Sequence, residues 1–385
     1  MSALIDLACP ECDQVFDADQ IQTICEGCDS PLWARYDLER LASELDRERI
    51  SRRPKGIWRW HELLPVRDPA FRITLGEGDT SLIPAPRIAE ELGLKSLFVK
   101  DEGPNPTGTF KARGMAVALS RAAELGLREF VIPTAGNAGG ALATYASRAG
   151  LEAHVFMPVD APTVNQTEVR MSGADLRLVD GLIDLAGRQA ATEAQANGWF
   201  NMTTFKEPYR VEGKKTMGLE LAEAFEWDLP EVIIYPTGGG TGLVGMWKSF
   251  DELEALGWID GRRPRFVSVQ AEGCAPIVKA LETEADRVEP WENPTTIAHG
   301  IRTPGAYADR LILKAVRESS GVGVTVTDEE IRVAQADLAK QEGILACLEG
   351  AATLAGLRRL VETGWINGDE RVVIFNTGTG LKDLS

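Results

Sequence analysis

The sequence predicts an α/β protein in which parallel sheets are flanked by helices, preceded by a small cysteine-bearing segment. Three observations carry this. From Ser96 to Phe375, short β-branched runs alternate with stretches of helical apolar period, the pattern of repeated α/β units. Glycine-rich loops at 134–140 and 237–242 each stand between a strand and a helix. Four of the six cysteines come early, as Cys9-Pro-Glu-Cys12 and Cys25-Glu-Gly-Cys28.

The length of 385 residues allows a large core divided into two lobes plus an appendage. A formal net charge of -17, spread along the chain, opposes a nucleic-acid or anionic-membrane partner. No apolar run has the length of a membrane span, and no basic segment followed by an apolar core opens the chain. The expectation is a cytoplasmic protein with a small-molecule substrate.

The appendage comes first. Two C-x2-C knuckles can place four thiolates in a tetrahedron, so Cys9, Cys12, Cys25 and Cys28 read as a structural zinc ribbon, with a metal-free remnant or a redox pair as alternatives. Four protein ligands leave no open position for substrate, so the ribbon is not expected to be catalytic. Cys274 and Cys347 read as buried thiols. A charged helical connector follows over about 37–53, then an anchoring patch of Trp58, Trp60, Leu63 and Leu64, and a turn-rich loop Leu75-Gly-Glu-Gly-Asp-Thr-Ser81.

Strand 96–100 leads into Asn105-Pro-Thr-Gly-Thr-Phe-Lys-Ala-Arg-Gly114. Lys111 sits where turn signals give way to a helical pattern. A lysine held at such a junction can be desolvated and act as a nucleophile toward a carbonyl; the alternative is an ordinary surface charge. Beyond it the pattern predicts helix 114–125, strand 129–133, helix 140–149, strand 153–157, a helix near 163–172, strand 175–179 and helix 182–197. It continues with helix 212–226, strand 231–236, helix 243–256, strand 265–270, strand 322–326, helices 328–341 and 349–363, and strand 371–376. Prolines 290, 294 and 304 interrupt any pattern over 285–320, which reads as a mobile or intersubunit segment. With only His61, His154 and His299 present and no H-E-x-x-H, no second metal site is expected.

In open parallel sheets, ligands gather beyond the carboxyl ends of strands. Three segments qualify. Pro236-Thr-Gly-Gly-Gly-Thr-Gly242 offers backbone amides and a helix dipole to an anion. It lacks the Gly-Lys-Ser/Thr of a Walker loop. Thr134-Ala-Gly-Asn-Ala-Gly-Gly140 repeats the strand–loop–helix arrangement, and Asn376-Thr-Gly-Thr-Gly-Leu-Lys-Asp383 follows the last strand. Each could simply make a turn.

The lysine segment with these three loops resembles the fold-type II pyridoxal-phosphate enzymes, most of all threonine synthase, with threonine or serine dehydratases next. The resemblance runs from Leu75 to the end in the family's order. It implies a two-lobed fold like that of the tryptophan synthase β-subunit, with pyridoxal 5'-phosphate carried on Lys111, which is also the general base. Gly238, Gly239, Gly240, Thr241 and Gly242 would cup the phosphate, Asn137 would meet the 3-hydroxyl, and Thr377 would face the pyridine nitrogen. Thr134, Ala135, Gly136 and Ala138 would hold the substrate carboxylate. Arg210 matches the arginine that takes the phosphate of O-phospho-L-homoserine; Lys214 and Lys215 lie near it, with a solvated helix face as the alternative. The lobes are expected at 36–111 with 215–385 for the larger and 112–214 for the smaller, after a ribbon at 1–35, and the family implies a homodimer.

Other positions depart from threonine synthase. Ala112 replaces an aspartate, Ala135 and Ala138 replace hydroxyl residues, the cup is nearly all glycine, and Thr379 replaces a histidine. Three of these lean toward a dehydratase, whereas the ribbon, Arg210 and the Leu-Lys-Asp tail lean toward threonine synthase. A cofactor- or zinc-binding protein without turnover is the third reading.

Overall fold

The cysteine-bearing segment forms an antiparallel three-stranded sheet, with Leu4–Ala8 at its centre between Val15–Phe16 and Trp33–Tyr36. This is the first piece of the computed structural model, which describes residues 1–384. Two compact units make up the chain: Met1–Asp79 with Lys111–Thr216, and Thr80–Phe110 with Met217–Leu384. Residues 36–79, expected with the larger lobe, group with the smaller sheet.

In the first unit, the strands lie in the order Asp175–Val179, Glu152–Pro158, Glu129–Pro133, Phe200–Asn201, and all pairs are parallel. The two-residue strand Phe200–Asn201 escaped the sequence pattern because so short a run has no period of its own. Val131, Phe156 and Val179 pack against Ala186 and Ala190 of the helix Ile183–Asn197, covering one face. On the helical side, Lys111–Glu124 packs against Asn137–Ala149, and the latter against Thr163–Met171.

The second unit holds a six-stranded sheet in the order Val322–Val326, Arg265–Ala271, Val232–Pro236, Arg371–Asn376, Ser96–Asp101, Leu82–Pro84. Only the Leu82–Pro84 edge runs antiparallel. The central strands are apolar on both faces (Val232, Ile234, Val372 and Ile374 are fully buried on one, Ile233 and Val373 on the other), as a sheet covered on both sides requires. Asp328–Asp337 shows a full capping box, with Thr327 and Glu330 exchanging side-chain and backbone bonds.

The stretch 285–320 is not, as its prolines suggest, irregular throughout. It contains the helix Asp309–Glu318, whose Leu311, Ile312, Ala315 and Val316 form a buried stripe. The Asp309 carboxylate ties back the preceding loop, accepting from Val288 N at 2.9 Å and Arg287 Nε at 3.0 Å. Pro276–Glu282 is a second helix the pattern did not predict. No helix among the described residues is long and apolar enough to cross a membrane.

Candidate active site

Lys111 is the first residue of the helix Lys111–Glu124, three residues before the start the sequence suggests. That helix crosses Arg210–Ala224 with backbones nearly touching. A Cβ on Gly114 would lie 2.8 Å from the Arg210 carbonyl, and one on Gly213 would overlap the Arg113 carbonyl. Only glycines permit this approach. Lys214 Nζ then donates to the Lys111 carbonyl at 3.1 Å, and Arg113 Nη1 donates to Thr216 Oγ1 at 2.9 Å. Lys214 and Lys215 are therefore not a solvated face: both are buried, and Lys215 pairs with Glu212 at 2.6 Å.

Asn137 opens the helix Asn137–Ala149. Thr134 Oγ1 accepts from the Gly136 amide at 3.1 Å, shaping the loop so that amides at its turn precede the helix N-terminus. Glu77, from the Gly-Glu-Gly segment, is buried and accepts from Tyr145 Oη at 2.6 Å on that same helix.

Arg210 begins its helix fully inside the unit, with Nη1 donating to the Met202 carbonyl at 2.6 Å and Nε unpartnered. Before it, the Glu207 carboxylate accepts from Tyr209 N at 2.8 Å and Arg210 N at 3.0 Å. Burial pushes the Glu207 carboxyl up to about 7, against the pull of Arg210. The pattern of the sequence did not single out Glu207, whose signal is an acid three residues ahead of a helix start.

In the second unit, the strands Val232–Pro236, Arg371–Asn376 and Ser96–Asp101 are neighbours, so their carboxyl ends bring together the glycine loop, Thr377 and the loop before Lys111. Phe110 N donates to the Thr377 carbonyl at 3.0 Å and Thr379 N to the Gly108 carbonyl at 2.8 Å. Thr377 Oγ1 lies 3.6 Å from Cys347 Sγ. Burial holds that thiol well above its ordinary range, so the neighbour of Thr377 is neutral. Gln270 braces the glycine loop from below. Its Nε2 donates to the Thr237 carbonyl at 3.0 Å, while its Oε1 accepts from Ile277 N and Val278 N at 2.8 and 3.1 Å. A lone glutamine inside the apolar strand Arg265–Ala271 was the available signal for it. His299 is exposed.

The glycine loop fits a phosphate. The amides of Gly239, Gly240, Thr241 and Gly242 have no acceptor among the described residues, and Thr241 starts a 15-residue helix. A Cβ on Gly238 would come within 2.7 Å of the Gly300 carbonyl. Gly240 has φ +74°, and a Cβ there would overlap Ile312. The cysteines fit zinc equally well. Cys9–Cys28, Cys12–Cys25 and Cys12–Cys28 sulfurs are 3.4, 3.5 and 3.8 Å apart. Bonds of about 2.3 Å in a tetrahedron imply sulfur separations of about 3.8 Å.

Comparison with known proteins agrees with this geometry. Residues 73–378 match the family described as pyridoxal-phosphate dependent enzyme. The threonine synthase of Methanosarcina acetivorans is 38% identical over 98% of this chain and 92% of its own length. That of Methanocaldococcus jannaschii is 37% identical over 97% and 92%. That of Mycobacterium leprae is 35% identical over 86% and 89%. Among solved structures, maize serine racemase superposes with a TM-score of 0.69 at 22% identity, covering 80% of this chain and 90% of its own. Tomato (Solanum lycopersicum) threonine deaminase isoform 2 gives 0.69 at 22%, covering 81% and 86%. At these identities the structural likeness establishes the fold.

Proposed function

Because this chain belongs to the pyridoxal-phosphate dependent enzymes, among the threonine synthases, we propose that it converts O-phospho-L-homoserine and water to L-threonine and phosphate. The match along 98% of the chain, which takes in the ribbon, carries this reading. Pyridoxal phosphate, when bound, supplies the electron sink that makes protons at Cα and Cβ of an amino acid labile.

The chain's own residues do the rest. Lys111 would hold the cofactor through its aldehyde carbon, and its amine, when free of that bond, would serve as the general base for the Cα proton. Gly238, Gly239, Gly240, Thr241 and Gly242 hold the cofactor phosphate, Asn137 the 3-hydroxyl and Thr377 the ring nitrogen. A hydroxyl beside a neutral thiol would give that nitrogen no carboxylate to keep it protonated, which would suit elimination and replacement over transamination. Thr134, Ala135, Gly136 and Ala138 orient the carboxylate, and Arg210 takes the substrate phosphate. Loss of a Cβ proton lets phosphate depart from Cγ, and protons returned at Cγ and Cα with water added at Cβ complete threonine. The four cysteines hold a structural zinc, and the enzyme works as a cytoplasmic homodimer in threonine biosynthesis.

A threonine or serine dehydratase is the second reading, favoured by the Ala135-Gly136-Asn137 loop and the nearly all-glycine cup. Parallel assays of the cofactor-loaded protein with O-phospho-L-homoserine, L-threonine and L-serine separate the two. Phosphate released in step with new threonine is the expected result. Oxo acid from threonine or serine, with phosphohomoserine inert, would replace it with the dehydratase.

A further inference from the structure

Asn165 belongs to the helix Thr163–Met171, in its first turn, where an asparagine ordinarily caps or faces water. It does neither. The residue is 5% exposed, and no hydrogen bond to its Oδ1 or from its Nδ2, the one donor of the carboxamide, occurs among the described residues. The helix has no side-chain cap at its start. Its Nδ2 points at the neighbouring loop, 3.3 Å from where a Cβ on Gly136 would stand.

That loop has few side-chain donors of its own to give. Thr134 Oγ1 is engaged with Gly136, accepting from its amide at 3.1 Å. Ala135 and Ala138 carry no hydroxyl. What remains is the loop's backbone and the start of the helix Asn137–Ala149, with one buried carboxamide lying against it. The turn that presents Asn165 is itself fixed. Asn165 N donates to the Pro162 carbonyl at 3.0 Å, and Gln166 Nε2 donates to the Ala161 carbonyl at 2.9 Å. A buried polar group held in place without a partner is a site for one that arrives with a ligand.

We propose that Asn165 is a substrate-binding residue whose carboxamide N–H donates to the α-carboxylate of the amino acid held at Thr134–Ala138. This rests on the functional reading above and adds to it a donor on a separate helix. Asn165 thereby supplies the side-chain contact that Ala135 and Ala138 do not.

The test compares wild type, Asn165→Ala and Asn165→Asp, all loaded with pyridoxal phosphate. Each is titrated with L-serine and with ethanolamine, which keeps the amine and hydroxyl but lacks the carboxylate. Binding is read from the shift of the cofactor absorbance band, alongside the thermal midpoint of each protein. A hydrogen bond to a charged group corresponds to a loss of roughly 10–100-fold in affinity. The expected result is that loss for L-serine in Asn165→Ala, a larger one in Asn165→Asp from charge repulsion, and unchanged ethanolamine affinity in both. Equal weakening for both ligands, or no weakening for either, overturns the proposal and leaves the functional reading standing. A wild-type protein whose band responds neither to L-serine nor to O-phospho-L-homoserine overturns the functional reading together with the proposal.

Discussion

Lys111 and Gly240 illustrate what single residues contribute. If Lys111 carries the cofactor and moves the proton at Cα, Lys111→Ala removes both the bound-cofactor absorbance band and turnover. A general base alone is worth about 10²–10⁴-fold. Phosphate release above about a tenth of the wild-type rate would contradict its role. Gly240 tests the phosphate loop by different physics. Its φ of +74° costs an L-residue about 1–2 kcal/mol, and its Cβ would collide with Ile312. Gly240→Ala should therefore displace the amides of Gly239 and Thr241 and weaken pyridoxal-phosphate affinity at least ~10-fold, measured by fluorescence titration. Unchanged affinity would mean that the phosphate binds elsewhere.

At the scale of the element, the helix Arg210–Ala224 begins on a buried carboxylate. Glu207 has an ordinary value of 4.5 and is raised to about 7 in the fold. Between these values the folded chain holds a proton that the unfolded chain has released, so stability falls as pH rises from about 4.5 to about 7 and then levels off. The span corresponds to a loss on the order of 3 kcal/mol. Glu207→Gln removes the titrating group, so the variant's stability should lack that share of the slope. Urea unfolding of both proteins at pH 5.5 and 7.5 measures it. Parallel pH profiles would show that Glu207 does not titrate in this range. This helix also marks the limit of what the sequence revealed. The parallel α/β pattern and the placing of Lys111, Asn137 and the glycine loop at helix starts were legible because each depends on local chemistry at a strand-to-helix junction. The burial of Lys214 and Lys215 was not, since it depends on Gly114 and Gly213 meeting a hundred residues apart in sequence. Gln270 and Asn165 were hidden for the same reason: their neighbours come from other segments. The helix Asp309–Glu318 was lost among prolines although its apolar stripe was present.

Across the whole molecule, the ribbon's position is set by charges that it shares with the two helices headed by Lys111 and Arg210. Arg121, 1% exposed on the helix Lys111–Glu124, donates to the Ala18 carbonyl and to Asp19 Oδ1, each at 2.7 Å. Arg67 reaches the same Asp19 at 2.8 Å. Tyr36, at the end of the ribbon's third strand, donates to Glu212 Oε2 at 2.8 Å, and Lys215 lies over its ring at 3.9 Å. Asp19 is half exposed, so each of its ion pairs is worth at most about 1 kcal/mol, and these contacts couple the ribbon to both helices only while the ribbon stays folded. A four-thiolate zinc would make that fold metal-dependent. The protein should contain one zinc per chain by elemental analysis, and Cys9→Ser with Cys25→Ser should abolish it. Removing the metal with a chelator should speed amide hydrogen exchange over 4–36 and also over 111–124 and 210–216. The six-stranded sheet of the second unit, which shares none of these contacts, should keep its protection. Faster exchange confined to 4–36 would make the ribbon an appendage whose charges do not steady the helices beneath it. Exchange that quickens in all three segments would instead tie the helix headed by Lys111 to a metal that never touches the substrate.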